Sequence, residues 1–233
     1  TGKVTRLIKM IKEMSDGKLG ISLSLGEQTK EVFQEWFDAG AHRYLLRIES
    51  SNPELYSKIH PANNLHSWER RVQALRDLKE IGYQTGTGVM IGLPYQTLED
   101  LAEDLMFIKN MGIHMVGMGP YLTHSETPMG SLGITTTDLS LTLKMVAALR
   151  LLLPKINIAA TTAMQVVDPE GREKAVLAGA NIIMPNMTIT EVRESYQIYE
   201  NKPGIKDDAA ISKTKLETNL EKKGIEIGWG EWG

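Results

Sequence analysis

The chain of 233 residues contains 0 cysteines, so it offers neither a disulfide nor a thiolate ligand for a metal site. Neither sign of charge dominates, because 26 Lys and Arg stand among 29 Asp and Glu, and the net charge of -3 leaves no basic surface for nucleic acid. No apolar run reaches the roughly 18 residues that span a bilayer, and no cleavable signal pattern opens the sequence. We therefore expect a cytoplasmic protein without nucleic-acid or membrane partners.

Strand-like apolar runs and helical patterns alternate about six times along the sequence. This alternation predicts a parallel sheet with right-handed crossovers and helices outside it, in residues 1–200, followed by a C-terminal helical extension and tail in residues 201–233. Strands that end in Gly, Ser or Glu favour a (β/α)8 barrel with its site at the carboxyl ends of the strands. Because a closed barrel needs eight units, we expect about two more units before the first helix. An open doubly wound sheet is the alternative, disfavoured because no G-x-G-x-x-G motif opens a helix.

The sequence GTGVMIGLP, residues 86–94, predicts a buried strand that runs into a Gly/Pro turn, with an acidic helix beginning at Leu98. Glycines within a strand cost stability unless something requires the space. Close approach of a ligand and crowding between neighbouring backbones inside a barrel explain them equally well. We interpret the acidic run of the following helix as a solvent-facing first turn that suits the helix dipole. The run consists of Glu99, Asp100, Glu103 and Asp104.

Three charged residues of the predicted strand 43–49 share one face at the two-residue period of a strand, Arg43, Arg47 and Glu49, with Leu45 between the first two. A parallel barrel strand is expected to be apolar, so these side chains mark the face toward the barrel mouth, as either a ligand site or an internal ion pair. Arg71 lies in the helix just past Ser67 and can bind a carboxylate through two hydrogen bonds. The strand therefore predicts a polar site whose occupant the pattern leaves open.

Later strands also end in polar or adaptable residues. Thr161 and Thr162 finish one predicted strand, and Met184-Pro185-Asn186 finish the last. Small hydroxyls and an amide at strand ends can position a polar small molecule. Thioethers of Met90, Met115 and Met184 suit either the core or an apolar adenine or sulfonium pocket.

A zinc site and a serine hydrolase site find no support in the sequence. The histidines show no zinc spacing, and Ser22 and Ser24 stand in no nucleophile elbow.

Several ordered motifs together resemble the HydE family of [FeFe]-hydrogenase maturases, radical S-adenosylmethionine enzymes related to biotin synthase and methylornithine synthase. The resemblance covers nearly the whole chain. The motifs are YLLRIE (44–49), SNP (51–53), GTGVMIGLP (86–94) with Gln96 and Thr97, GMGP (117–120) with His124 and Thr127-Pro128, ATTAM (160–164) and GANIIMPN (179–186).

The resemblance implies a (β/α)8 barrel in which a [4Fe-4S] cluster, held by a Cys-x-x-x-Cys-x-x-Cys loop, cleaves S-adenosylmethionine. The resulting 5'-deoxyadenosyl radical acts on a sulfur-containing substrate, for this family a cysteine-derived iron complex. The positions similar to those that bind S-adenosylmethionine are Glu49 at the ribose, Arg71 near the carboxylate, Met90 and Met115 around the adenosyl group, and Ser24. The positions similar to those around the substrate cavity are Ser22, Arg47, Thr161, Thr162, Met184, Tyr196 and Tyr199.

The sequence departs from this family where the cluster would be bound. With 0 cysteines it has no cluster loop and no metal ligands of its own, and the Gly-Gly-Glu segment for the methionyl amine is absent. The visible units then correspond to barrel strands 3–8, and we expect the chain alone to be inactive. A preceding segment or another chain is expected to complete the barrel, and other hydrogenase maturases are possible partners. The alternatives are a methylornithine synthase-like or biotin synthase-like enzyme, or a non-catalytic scaffold that binds S-adenosylmethionine or another small molecule.

Overall fold

The computed structural model describes residues 1–63, 65–133, 139–185, 188–193 and 209–230. The elements in chain order are α1 (Gly2–Met14), β1 (Ser22–Leu23), α2 (Lys30–Asp38), β2 (Arg43–Leu45), α3 (Pro53–Ile59), α4 (Trp68–Ile81), β3 (Gln84–Ile91), α5 (Leu98–Met111), β4 (Met115–Pro120), a 3-10 turn η1 (Gly130–Leu132), α6 (Leu139–Leu152), β5 (Asn157–Ala160), α7 (Thr162–Val167), α8 (Gly171–Ala178), β6 (Ile182–Ile183), α9 (Thr190–Arg193) and α10 (Ala209–Glu221).

The strands form one six-stranded sheet in the order β1-β2-β3-β4-β5-β6. Neighbouring strands pair in parallel, with Ser22 opposite Arg43, Tyr44 opposite Thr85 and Ala159 opposite Ile182. Sequential order with parallel pairing and a helical crossover after each strand is the arrangement expected of repeated βα units. The predicted alternation is therefore confirmed.

Several strands are shorter than their apolar runs. Strand β5 ends at Ala160, and Thr161 is the N-cap of α7 with φ -77° and ψ 152°. The prediction that Thr161 and Thr162 finish a strand is thus wrong. An extended threonine followed by helical residues satisfies a helix start as well as a strand end, so the sequence pattern did not separate the two. Tyr196, Tyr199 and the predicted boundary at residue 200 lie outside the described residues.

The chain divides into two compact units, the first formed by Thr1–Val89 with Thr97–Gly117 and the second by Met90–Gln96 with Met118–Gly233. In the first unit, α2 packs on α4 and on α1. Its core contains an aromatic cluster in which the rings of Phe33 and Tyr44 meet edge to face at 4.9 Å and those of Tyr44 and Tyr83 at 5.8 Å. This cluster fixes β2, because Tyr44 is its central residue.

In the second unit, α8 packs against α6, α7 and β5. The fully buried residues of this core include Val146, Leu149, Ile158, Met164 and Ala175. Gly171 at the start of α8 allows a close approach, because a Cβ there would collide with the backbone carbonyl of Met164. In the part of the chain that the structure describes, no helix is long and apolar enough to cross a bilayer.

Helix α4 offers a test of local capping. The Ser67 hydroxyl accepts the Arg70 N–H at 3.2 Å, so we predict that Ser67→Ala lowers the free energy of unfolding by about 1 kcal/mol. Thr29 is the matched control, since it is the N-cap of α2 but makes no side-chain capping bond. Urea unfolding of both variants checks the difference. An equal loss in Thr29→Ala and Ser67→Ala would refute the capping role.

Candidate functional site

The charged pair predicted on the second strand lies just beyond β2 in the first unit. After Leu45 the chain stays alongside β3, and the Glu49 N–H donates to the Gly88 carbonyl at 2.9 Å. Glu49 has φ 63°, a left-handed conformation that side-chain-bearing residues adopt at a cost of about 1 kcal/mol or more. Such backbone strain is typical of functional positions and requires that the surrounding structure hold the residue in place.

Arg47 holds the Glu49 carboxylate through two hydrogen bonds, Nε to Oε1 at 2.8 Å and Nη2 to Oε2 at 3.0 Å. The same guanidinium donates to the backbone carbonyls of Gly117 and Val89, each at 2.9 Å. Burial acts to lower the pKa of Arg47, but attraction to Glu49 and the hydrogen bonds outweigh it, and the pKa is raised. The pair thus exists as an ion pair, one of the two interpretations that the sequence left open.

Arg71 reaches the same place from α4. Its Nη1 donates to the Arg47 backbone carbonyl at 2.6 Å, and its Nε contacts the Glu27 carboxylate. The Glu27 side chain is only 7% exposed, and Glu27 was not among the predicted site residues. Its signal was available, because Glu27 directly follows the strand-like run at residues 19–26, and barrel site residues are expected at such strand ends. The Tyr44 hydroxyl fixes this segment by donating to the Gly26 carbonyl at 2.8 Å.

A buried tyrosine hydroxyl stands near these charges. Tyr56 on α3 is 1% exposed, and its hydroxyl has no hydrogen-bond partner among the described residues. Burial raises the pKa of Tyr56, Arg71 acts to lower it, and Glu27 and Glu49 act to raise it. Its ring stacks on His60 at 3.8 Å. A desolvated hydroxyl without a partner is suited to a bound polar group.

The glycines of β3 are explained by neighbouring protein groups. A Cβ at Gly88 would collide with the Gly117 carbonyl oxygen and lie 3.1 Å from the Arg47 guanidinium. A Cβ at Gly86 would lie 3.1 Å from side-chain atoms of Leu45 and Met115. The structure therefore favours crowding over ligand approach at these two positions.

The other predicted residues of the cofactor set, together with Ser22 of the substrate set and the neighbouring Arg43, have varied surroundings. In the first unit, Met115 packs its methyl group toward Gly86 and is half-buried, whereas Ser22 and Ser24 are exposed at β1 and just after it. Arg43 Nε donates a hydrogen bond to the Gln84 side-chain oxygen. In the second unit, Met90 is half-buried, and its carbonyl accepts the Gln96 side-chain amide at 3.0 Å. The roles of Met90, Met115 and Ser24 toward a cofactor, and of Ser22 toward a substrate, stay predictions.

In the second unit, the Thr161 hydroxyl donates to the Met118 carbonyl at 3.2 Å and fills the space left by Gly119, where a Cβ would lie 2.5 Å from Oγ1. Thr162 opens α7 and is half-buried. Met184 is 53% exposed, and its carbonyl is 3.5 Å from the Arg172 guanidinium. Within this unit, the structure brings Thr161 to the end of β4 and leaves the Met184 side chain open to solvent.

A metal centre does not fit the residues that are present. The chain has 0 cysteines, and among the described residues no group of three or more His, Cys, Asp or Glu side chains is placed to hold a metal ion. An iron–sulfur cluster would need thiolate ligands, which this chain cannot supply.

The sequence is similar to known proteins over most of its length. Residues 2–108 match the Radical SAM superfamily. The chain is 46% identical over 210 residues to the [FeFe] hydrogenase maturase subunit HydE of Thermotoga maritima, an alignment that covers 89% of this chain and 58% of that protein. The chain is therefore HydE-like, with a radical SAM match over residues 2–108. The resemblance inferred from the motifs is thereby confirmed, and with it the assignment to a family of enzymes.

More distant relatives of this HydE-like chain include the biotin synthase of Trichodesmium erythraeum, 28% identical over 208 residues, which cover 87% of this chain and 51% of that protein. The chain thus spans between half and three-fifths of the length of these two relatives.

Solved structures show the same fold. Methylornithine synthase (PylB) superposes with a TM-score of 0.77 at 22% identity, covering 98% of this chain and 64% of that one. The [FeFe]-hydrogenase maturase HydG superposes with a TM-score of 0.72 at 19% identity, and the superposition covers 94% of this chain and 49% of that one. The prediction of a partial (β/α)8 barrel is confirmed.

Proposed function

We propose that this chain forms the S-adenosylmethionine-binding and substrate-binding part of a HydE-type radical enzyme that acts in maturation of the [FeFe] hydrogenase. The observation that carries the proposal is the similarity to HydE, 46% identity over 89% of the chain. The anchored Arg47–Glu49 pair at the end of β2 supports it, since functional residues of such barrels lie at the carboxyl ends of strands.

Glu49 is suited to hold the ribose of S-adenosylmethionine. A carboxylate offers about four lone-pair sites, and Arg47 uses only some of them, so ribose hydroxyls can still donate to Glu49. Arg71 is suited to the carboxylate, because a guanidinium has five N–H donors and the contacts with Glu27 and Arg47 use two. Met90, Met115 and Ser24 complete the proposed cofactor set.

The proposed substrate is a sulfur-containing, cysteine-derived iron complex. The side chains proposed around it are Ser22, Arg47, Thr161, Thr162 and Met184, with Tyr196 and Tyr199 outside the described residues. Arg47 contributes a half-buried positive charge and the threonines contribute hydroxyls, which suit a polar substrate. Other hydrogenase maturases are the proposed source or recipient of this complex.

The chemistry of radical formation requires a group that these residues do not fit. In the family, a [4Fe-4S] cluster supplies the electron that cleaves S-adenosylmethionine. With 0 cysteines, the chain holds no ligand for it, so we propose that the cluster comes from a preceding segment or another polypeptide and that the chain alone is inactive.

The surface around β1 is consistent with such an addition. Leu19 is 57% exposed and Leu25 is 46% exposed on either side of this edge strand. On α1, Leu7, Met10 and Met14 form an exposed apolar row at helical spacing. An uncovered strand edge next to apolar surface favours pairing with further strands.

Anaerobic reconstitution with iron, sulfide and dithionite tests the proposal. We predict that the chain alone forms no cluster absorbance and no 5'-deoxyadenosine from S-adenosylmethionine. The same chain joined to an N-terminal segment with three cysteines should give both. Absence of both from the completed protein would reject the proposed function.

A second candidate is a non-catalytic scaffold that binds S-adenosylmethionine. One observation favours it, namely the absence of cysteine from the sequence. It predicts that the chain binds S-adenosylmethionine and that the completed protein yields no 5'-deoxyadenosine. Biotin synthase-like or methylornithine synthase-like chemistry would instead appear as turnover of those enzymes' substrates by the completed protein.

A further inference from the structure

Two of the four carboxylates at the start of α5 are buried, contrary to the prediction that this acidic run faces solvent. Asp100 is 7% exposed and Asp104 is 0% exposed, whereas Glu99 and Glu103 lie on the outer face. The helical spacing explains why these two are buried and the other two are not. Asp100, Asp104 and Ile108 are four residues apart and therefore lie on the same, buried face of α5. The helix dipole favours Glu99 and Asp100 in the first turn but does not explain the burial of Asp104 in the second.

Both buried carboxylates bind the turn that follows Glu49. Asp104 Oδ1 accepts the Ser51 backbone N–H at 2.6 Å. Asp100 Oδ1 accepts the Asn52 side-chain amide at 2.7 Å, while its Oδ2 accepts the Thr97 N–H at 2.7 Å. Hydrogen bonds to an ionised carboxylate are stronger than those between neutral groups. The first turns of α5 therefore hold residues 51 and 52 from one side.

The anchored turn lies between two parts of the candidate site. On one side is Glu49, whose left-handed backbone requires external support. On the other is α3, where the Asn52 side chain caps the helix by accepting the Glu54 N–H at 2.9 Å. Helix α3 carries Tyr56, the buried hydroxyl near Glu49 and Arg71. Displacement of residues 51 and 52 would thus move both Glu49 and Tyr56.

We propose that Asp104, assisted by Asp100, is a positioning residue that holds the turn 49–52 and thereby sets the orientation of Glu49 toward the ribose of S-adenosylmethionine. This inference rests on the proposed function for the identity of the ligand. The anchoring itself rests on the contacts above, all of which lie within the first unit.

The burial of Asp104 costs the fold stability at neutral pH. Its Oδ2 has no hydrogen-bond partner among the described residues, and burial raises its pKa to about 6, with the Ser51 hydrogen bond opposing and Asp100 and Glu103 adding to the rise. A carboxyl whose pKa is higher in the folded state stabilises the fold less as pH rises from about 4 through about 6. Buried carboxylates with raised pKa values cluster at functional sites.

Titration of S-adenosylmethionine into the reconstituted protein tests the role in binding. We expect Asp104→Ala to raise the Kd about tenfold, because the charge-assisted bond to Ser51 is lost. Glu103→Ala, one residue away on the exposed face, should leave the Kd unchanged. Asp104→Asn keeps an acceptor for Ser51 but does not titrate, so it should bind nearly as well at neutral pH.

The pH profile separates positioning from a general loss of folding. Wild-type affinity should fall relative to Asp104→Asn as pH decreases through about 6, where Asp104 takes up a proton and its bond to Ser51 weakens. The charged groups that act on the anchoring carboxylates are Asp100 and Glu103 on α5 and Lys58 on α3, and they are common to both proteins. Parallel profiles for the two proteins would overturn the inference.

Amide hydrogen exchange tests the anchoring without any ligand. In Asp104→Ala, the Ser51 and Glu49 amides should exchange at least about tenfold faster, while the Tyr83 amide in the core keeps its rate. Unchanged protection at Ser51 and Glu49 would refute the anchoring role. If wild-type protein fails to bind S-adenosylmethionine, the proposed function fails on that measurement, and exchange still decides the anchoring.

Discussion

Replacing Glu49 with alanine is expected to lower the free energy of unfolding by about 3 kcal/mol and to weaken binding of S-adenosylmethionine by the completed protein at least about tenfold. The loss of stability follows from Arg47, which is 29% exposed and would keep its guanidinium between backbone carbonyls without its bidentate carboxylate. An uncompensated charge that is largely removed from water is costly.

The loss of affinity has a separate cause, since the ribose hydroxyls lose their proposed acceptor. Glu49→Gln separates the two effects. It keeps the side-chain length and one acceptor oxygen but removes the charge. Relative to Glu49→Ala, it should therefore recover more of the affinity for S-adenosylmethionine than of the free energy of unfolding. Denaturant unfolding and calorimetric titration measure both quantities on the same samples.

The Arg47→Met, Glu49→Leu double variant provides the control for stability. Because it removes both charges together, it should lose clearly less than the sum of the two single variants. Unchanged affinity in Glu49→Ala would remove Glu49 from the proposed ribose site. Additive losses in the double variant would show that the ion pair is not the source of the stability effect.

The second large effect is expected from Gly88→Ala. The added Cβ would collide with the Gly117 carbonyl and press on the Arg47 guanidinium, so backbone and charge would both have to shift. Overpacking of this kind costs about 3 kcal/mol, which corresponds to a decrease in Tm of roughly 6–12 °C for a chain of this size.

Gly117→Ala is the matched control, because a Cβ there meets only Arg47 Nη1 at an ordinary contact distance of 3.5 Å. Its Tm should stay within about 3 °C of wild type. Differential scanning calorimetry compares the two variants. If Gly88→Ala retained the wild-type Tm and lost only affinity for S-adenosylmethionine, the space at Gly88 would belong to the ligand.

Elements with local signals were predictable from the sequence. The α4 helix has a capping serine at Ser67 and a glycine at Gly82, whose φ of 106° suits a helix end, and the predicted and observed helices agree within a residue. The strand Met115–Pro120 agrees at both ends because apolar residues and glycines lie between two clear helices. The Arg47 and Glu49 alternation also placed both residues correctly at one end of the sheet.

Features that depend on tertiary contacts were not predictable. Position 88 must be glycine because the backbone carbonyl of Gly117, which is distant in sequence, occupies the space of a Cβ. Asp104 has the spacing of a buried face, but charge favoured a solvent-facing interpretation, and only its bond to Ser51 explains its burial. Glu49 gives no sequence sign of its positive φ. In each case a group from another element decides the environment.

The most direct test of the central claim is the distance between the ribose hydroxyls of S-adenosylmethionine and the Glu49 carboxylate in a crystal structure of the completed protein with the ligand bound. We predict a hydrogen-bond distance of about 2.6–3.0 Å, with Arg47 still paired to the same carboxylate. A ribose bound elsewhere, with Glu49 contacting only Arg47, would contradict the proposed site.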